Sequence, residues 1–505
     1  MNLSVRNRAY SVEELVYCAR LLREKLHADP HRPRYHLIAP EGWTNDANGA
    51  LFWKGRYHLF ILGRTPLPHR DNPTADWWEG RVWLHVSSAD LVHWIHHSPA
   101  LKADENNPDP EYVGPQSGDA IENAPAPTLI YHDGLKIGTS IAIAEDDELI
   151  RWRPLAQNPV IPFGVNAETK VHDPCAWYHD GVYYALVGGK NYRPGFEGDC
   201  TSLFRSTNLV DWEYRGPFYQ SRREWTGKVE DCACPDFFPL GDRYMLLMHG
   251  HQPYSQCHYY LGRFDGEQFY PEEHARMTWP GGQFAGPETL LDGTGRRILF
   301  GWIREGTHGG RDWKTSGWAS CISLPRLLSL APDGSLRIEP VPELERLRLN
   351  HRRVENLHLA DGGDMPATLV EGDSLELDAR VACGTAHKVG VMVRCAPDNS
   401  EGSCIVFDAV AKTLAIESAT LSEQGERCEQ LQAAPFILPA GEALRLRIFV
   451  DRSVLEVFAN ERVCLTQRVY PSRADSVQVK CFAKGGDGAC VESLDAWDMM
   501  PVASV

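Results

Sequence analysis

The feature that most restricts the fold is a unit that occurs five times: an apolar strand, a tight polar turn and a second apolar strand. The first copy reads Ala50-Leu-Phe-Trp-Lys-Gly-Arg-Tyr-His-Leu-Phe60 and the third reads Ala176-Trp-Tyr-His-Asp-Gly-Val-Tyr-Tyr-Ala-Leu186. The other copies run over 127–137, 236–247 and 289–300. A second repeat trails two of them, as Ser88-Ala-Asp-Leu-Val-His-Trp94 and Ser206-Thr-Asn-Leu-Val-Asp-Trp212. One hairpin cannot bury both of its faces, so repeats of this size imply stacked modules. Five such hairpins with outer strands predict a five-bladed β-propeller around an axial channel.

Beyond about Arg353 the pattern changes. Ser374 to Val381 and Leu444 to Ile448 alternate polar with apolar residues, and Val454 to Phe458 is a further short apolar strand. Half-buried antiparallel strands of this kind predict a β-sandwich. The expected architecture is all-β: a propeller over 34–345 followed by a C-terminal β-sandwich over 350–505, with the linker in the Arg- and Leu-rich stretch Pro342 to Arg353. Residues 1–33 form a helical extension, because Val12-Glu-Glu-Leu-Val-Tyr-Cys-Ala-Arg-Leu-Leu22 is amphipathic at helical spacing and Ser11 suits an N-cap.

Charge and cysteine usage narrow the function classes. A formal net charge of −17 argues against nucleic acid or an anionic membrane as partner and is compatible with a neutral carbohydrate. No apolar run is long enough to span a bilayer, and Met1 to Pro33 lacks the basic-then-apolar plan of a secretory signal. The 14 cysteines are scattered without a framework, which suits reduced thiols and a cytoplasmic protein. Cys232-Ala-Cys234 and His249-Gly-His251 lack a second matched pair at ligand spacing, so neither a metal nor a cofactor is expected. Self-association into a homo-oligomer is compatible with this composition.

Three hairpins are preceded by acids beside turn-formers: Asp46 in Trp43-Thr-Asn-Asp-Ala-Asn-Gly49, Asp173 in Val171-His-Asp-Pro174, and Glu230-Asp231 before Cys232-Ala-Cys-Pro-Asp236. An isolated Asp beside Asn, Gly or Pro is usually a turn residue. Recurrence at equivalent places in three hairpins reverses that reading, because the first strand of each blade lines the axis and its entry residues converge on one funnel. Glycosidases need such a set: one carboxylate to attack or to activate water, and one carboxylic acid to protonate the leaving oxygen.

On these residues the sequence resembles glycoside hydrolase family 32, the invertases, levanases and inulinases. Trp43 to Gly49 is similar to the family's Trp-Met-Asn-Asp-Pro-Asn-Gly, and Trp83 to Trp94 is similar to its Trp-Gly-His-Ala-x-Ser-x-Asp-Leu-x-x-Trp. Gly317 to Arg326 resembles the end of its propeller, and Asp451-Arg-Ser-Val-Leu-Glu-Val-Phe-Ala-Asn460 with Arg468-Val-Tyr-Pro471 resembles the signature of its sandwich. The resemblance implies cleavage of β-fructofuranosides with retention. Asp46 would be the nucleophile and Asp173 the residue that holds fructosyl hydroxyls and stabilises the transition state. Asn45, Trp83, Ser117, Asp119 and His172 would contact substrate.

Four departures stand out. His172 occupies the family's Arg before Asp-Pro, exchanging a fixed fork for a titratable ring. Leu62 stands for a glutamine, and Ser117-Gly118-Asp119 stands for Ser-Gly-Ser. Ala233 stands where the general acid, a Glu before Cys-Pro-Asp, is usual. Hairpin register agrees, since Asp46 lies ten residues before Arg56 and Ala233 ten before Arg243. Glu230 is the preferred replacement by reach and residue type, with Asp231 close behind. Fructosyl transfer, another furanosidase activity on the same fold, or non-catalytic sugar binding remain as alternatives.

Overall fold

The computed structural model describes residues 12–64, 81–104, 114–165, 172–191, 198–220, 222, 224–226, 232–251, 256–305, 313–362, 369–422 and 425–502. Five sheets form the blades of a propeller. Their inner strands, Gly42–Trp53, Pro115–Ala120, His172–His179, Ala233–Leu240 and Phe284–Leu291, touch in a closed ring, with blade five returning to blade one. The ring is stitched where Gly42 and Trp43 pair in parallel with Trp318 and Ala319 of the last repeat. Middle strands such as Leu59-Phe60-Ile61-Leu62 are buried on both faces between blades. That is why they read as continuous apolar runs and not as alternation.

Blade two corrects the reading of the repeat. The unit over 127–137 holds only its second strand and the turn after it: Thr128–Asp133 pairs inward with Pro115–Ala120 and outward with Gly138–Ala144, and a single helical turn covers 134–137. The true inner strand, Pro-Gln-Ser-Gly-Asp-Ala, lines the channel and is polar, so it carries no apolar signal. The Ser-to-Trp motif belongs to the turn between a blade's third and fourth strands. Leu91 and Leu209 both take φ near +67°, and the Trp94 and Trp212 indoles donate to their carbonyls at 3.1 Å. A third copy, hidden in sequence, places Leu149 at φ +60° under the Trp152 indole.

The sandwich consists of two six-stranded sheets. The expected linker is shorter than its composition suggested. A 3-10 turn at Pro342–Leu347 is followed at once by the strand Arg348–Leu359, whose partner is Ala489–Met499. Its arginines serve cross-strand ion pairs, such as Arg352 with Asp498 and Arg353 with Asp495.

The sandwich signature does its work at the seam between the domains. Asp451 accepts hydrogen bonds from the backbone N–H groups of Arg34, Tyr35 and His36 and from the His36 ring. Glu456 accepts from the other His36 nitrogen and from Leu324 N–H, and it pairs with the fully buried Arg326. Burial alone would lower the pKa of His36, but the bonds to Asp451 and Glu456 outweigh it and raise it to about 8. The helix Val12–Ala28 packs Leu22 and Leu26 against Trp318, Cys321 and Val454 at the same seam. Ser11 lies outside the described residues. Among the described residues no helix is long and apolar enough to cross a membrane.

Candidate active site

All five inner strands break register at the same end: between Thr44 and Ala47, Pro115 and Gly118, His172 and Pro174, Ala233 and Asp236, and Ala285 and Glu288. Bulges re-aim side chains, and here they direct one residue from each blade toward the axis. Asp173 and Cys234 hold φ values of +34° and +45°, unusual for residues with a Cβ. Strain of this kind persists where surrounding structure holds it, characteristically at functional sites.

The bulges bring Asp46, Ser117, Asp173 and Cys234 together. The Ser117 hydroxyl donates to Asp46 Oδ2 at 2.7 Å. The Cys234 thiol lies 4.0 Å from Asp46 Oδ2 and 3.8 Å from Asp173 Oδ2, and Cys234 N–H donates to Asp173 Oδ2 at 3.4 Å. Burial, then the charges of Asp173 and Asp46, push the thiol's pKa well up, so Cys234 is a neutral donor between two acids. Asn45 Oδ1 accepts the Asp46 N–H at 2.8 Å, and Asn48 Oδ1 accepts Gly118 N–H at 3.0 Å. Blade five contributes a close approach: Gly286 has φ +51°, and a Cβ there would sit 2.4 Å from Asp46 Oδ1. Glycine lets the carboxylate lie this close to the strand.

Desolvation raises the Asp46 pKa to about 6; the Ser117 bond opposes this, Asp173 adds to it, and the charges of His251 and Arg81 moderate it. Asp46 is therefore an anion near neutral pH, held close to protonation. Trp43 and Trp302 meet edge to face at 6.1 Å, and Arg81 lies over Trp43 at 5.8 Å. Arg81 and Gly286 had no motif to announce them, and His251 stood out only in a His-Gly-His pair set aside as a metal site.

Two expected substrate contacts lie elsewhere. Trp83 is 0% exposed; it packs with Phe60, Leu62 and Tyr131 and donates its indole N–H to Gln116 O at 2.8 Å. Its aromatic bulk is core, and it braces the bulge that presents Ser117. Asp119 is 8% exposed and belongs to a deeper layer with Asp236 and Glu288. With Asp236 it lines a separate cavity of about 320 Å³ at Ala50–Trp53 and 119–128. His172 is partly exposed beside Asp173, with its ring 5.4 Å from that of His132. Ala233 opens its blade's inner strand opposite His249. Glu230 and Asp231 lie outside the described residues. The His249 and His251 rings contact edge to face at 4.8 Å, and among the described residues no group of three or more potential ligands could hold a metal.

A propeller whose axial mouth gathers two carboxylates, a hydroxyl and aromatic walls has the layout of a glycosidase. Residues 36–340 match the N-terminal domain of glycosyl hydrolases family 32, and 343–498 match that family's C-terminal domain. The chain belongs to this family. It is 28% identical to the sucrose-6-phosphate hydrolase of Escherichia coli over 472 residues, covering 90% of this chain and 92% of that one. It is also 28% identical to beta-fructofuranosidase, insoluble isoenzyme 1, of Daucus carota, covering 93% and 89%. Fructan 1-exohydrolase IIa from Cichorium intybus has the same fold, with TM-score 0.78 at 23% identity over 94% of this chain and 98% of that one. The sucrose-6-phosphate hydrolase of Lactobacillus gasseri superposes with TM-score 0.76 at 22% identity over 99% of both chains.

Proposed function

We propose that the protein hydrolyses β-fructofuranosidic bonds in sucrose-type or fructan-type substrates by retaining double displacement. The observation that carries this reading is the convergence of Asp46 and Asp173 on the Cys234 thiol, with Ser117 orienting Asp46. Asp46 attacks the anomeric carbon while the glycosidic C–O bond breaks and the leaving oxygen takes a proton from the acid. Asp173 stabilises the oxocarbenium-like transition state through fructosyl hydroxyls. Water then displaces Asp46, giving its proton to the same acid, now a base. Glu230 is the proposed acid and Asp231 its alternate. Asn45, Ser117 and His172 are proposed to position the glycone. The names of the relatives point to sucrose, its 6-phosphate and fructans as first substrates to try. A reducing, cytoplasmic setting is supported by the free thiols of Cys175, Cys257, Cys321 and Cys464.

The test is incubation with sucrose, sucrose 6-phosphate, inulin and levan, followed by product analysis. Release of fructose as the β-anomer supports hydrolysis with retention, whereas products longer than the substrate point to transfer. Glu230→Ala should still cleave an aryl fructoside whose leaving group needs no proton, yet fail on sucrose. The same pattern in Asp231→Ala, with Glu230→Ala near wild type, assigns the acid to Asp231.

A further inference from the structure

His132 sits on the second strand of blade two, Thr128–Asp133, at 2% exposure. Neither of its ring nitrogens has a hydrogen-bond partner among the described residues. Buried polar groups are rarely left this way, because an unsatisfied donor or acceptor forfeits its hydration with no return. The ring lies in the active-site wall: the His172 ring is 5.4 Å away at an interplanar angle of 64°, and Phe163 meets the His172 ring at 6.4 Å. Asp173, His172 and Arg81 are the charges that act on it.

Two other histidine pairs in the molecule show what this spacing permits. His58 and His85 have ring centroids 5.2 Å apart at 19°, with Nδ1 to Nε2 at 3.0 Å. His258 and His274 repeat the arrangement at 5.2 Å and 19°, with a nitrogen separation of 2.9 Å. The His132–His172 pair has nearly their separation, but its rings are crossed and unbonded. Its 5.4 Å ring separation is within the reach of such a bond once the rings are re-oriented.

We infer that His132 is a positioning residue for His172, and that the two imidazoles close into a hydrogen-bonded dyad when His172 engages a hydroxyl of the bound sugar. This rests on the proposed action on fructosides. A neutral imidazole offers one donor and one acceptor, so a dyad leaves His172 with one defined role toward the sugar, set by the role it takes toward His132. An arginine at position 172 offers donors only. Burial, the first of the influences on it, lowers the His132 pKa to about 4, so the ring is neutral in the working range and keeps its acceptor nitrogen. The partly exposed His172 touches substrate; the covered His132 acts through it.

The experiment is kinetics on sucrose, inulin and levan with wild type, His132→Phe, His132→Gln, His172→Phe and the double variant His132→Phe/His172→Phe, each with a thermal melt. His132→Phe should raise KM roughly 10-fold or more with kcat nearly held, as loss of an interaction common to ground and transition states does. Its melting temperature should not fall, because two unpartnered nitrogens leave the interior. His132→Gln, whose amide also donates and accepts, should recover part of the affinity. The double variant should bind no worse than His172→Phe. A merely structural His132 would lower the melt and leave KM alone. A wild-type KM in His132→Phe, or losses that multiply in the double variant, overturns the dyad while leaving hydrolysis intact. If the wild type releases fructose from none of the three sugars, the hydrolysis reading falls. The dyad is then judged by calorimetry of fructose binding to the same proteins, where equal affinities overturn it.

Discussion

Two layers of buried acids share one channel. Asp119, Asp236 and Glu288 lie on the inner strands two residues after Ser117, Cys234 and Gly286, just past the register break of each strand. Both layers contain carboxyls whose pKa values burial pushes upward, so electrostatics alone does not separate them. Hydrogen bonding does. In the deeper layer Glu288 accepts Ala50 N–H at 2.9 Å, Asp236 accepts Thr289 N–H at 2.8 Å and Asp119 accepts Ala120 N–H at 2.6 Å. Two of these bonds join neighbouring blades, from five to one and from four to five. In the upper layer Asp46 has the Ser117 hydroxyl and a weak thiol contact on one oxygen, while the other lies against Gly286. Glu288 and Asp236 tie neighbouring blades through backbone N–H groups, as Asp173 does more weakly through Cys234 N–H, whereas among the described residues the Asp46 carboxylate has only side-chain partners from other blades.

The largest expected effect breaks the comparison at its upper end. Asp46→Asn should lower kcat on sucrose by on the order of 10⁴-fold, since the amide has nearly the same shape but cannot attack. Its urea melt should match wild type. Activity within a few fold of wild type would remove the upper layer from the chemistry.

At the lower end, Glu288→Ala should cost about 2 to 3 kcal/mol in denaturant melts by orphaning the Ala50 N–H, without abolishing turnover of folded enzyme. Glu288→Gln keeps the acceptor and sharpens the point through pH. Burial first, then Asp119 and Asp236, raise the Glu288 pKa well above its ordinary value. A raised folded-state pKa means this contribution to stability is complete below the unfolded value, about 4.3, and is lost as pH climbs through the folded one. Wild-type stability should therefore decline from about pH 4 upward, and the Gln variant should flatten that slope. Identical slopes would show that Glu288 ionises freely.

The seam between domains offers a third buried cluster, in which a cation balances the acids. His36 has its pKa raised to about 8, so its stabilisation is complete below about pH 6.5 and is lost as pH rises through 8. The loss should be about 2 kcal/mol, measured in wild type and absent in His36→Gln. An equal decline in both proteins would mean the cluster does not clamp the domains through His36.

Ser117→Ala should give the smallest change, about 1 kcal/mol. The Ser117 hydroxyl lowers the Asp46 pKa, so its removal should move the acid limb of the kcat/KM profile upward from about pH 6 and depress activity most at low pH. An unmoved limb would show that Ser117 does not bond the reacting form of Asp46.

The sequence by itself determined the all-β architecture, because strand period, turn residues and hairpin repeats are local properties. It also marked Asp46 and Asp173, the two acids that the bulges bring together at Cys234. Its motif readings could not tell presence in a motif from exposure to a ligand: Trp83 lies in a family-like segment, yet its indole is walled in by Phe60, Leu62 and Tyr131. Asp119 lies beside Asp236 and Glu288, a placement that its motif did not show, because the register break of the strand and not its two-residue period sets how these residues face. Blade two's inner strand escaped notice because residues facing a channel are polar. His132 escaped as well, its significance resting on a neighbour 40 positions away in the chain. Tertiary structure alone decided which acids the backbone engages, where the five bulges converge and which histidines face each other. Those outcomes depend on how blades close around an axis, and ring closure is a relation among distant segments that no local pattern encodes.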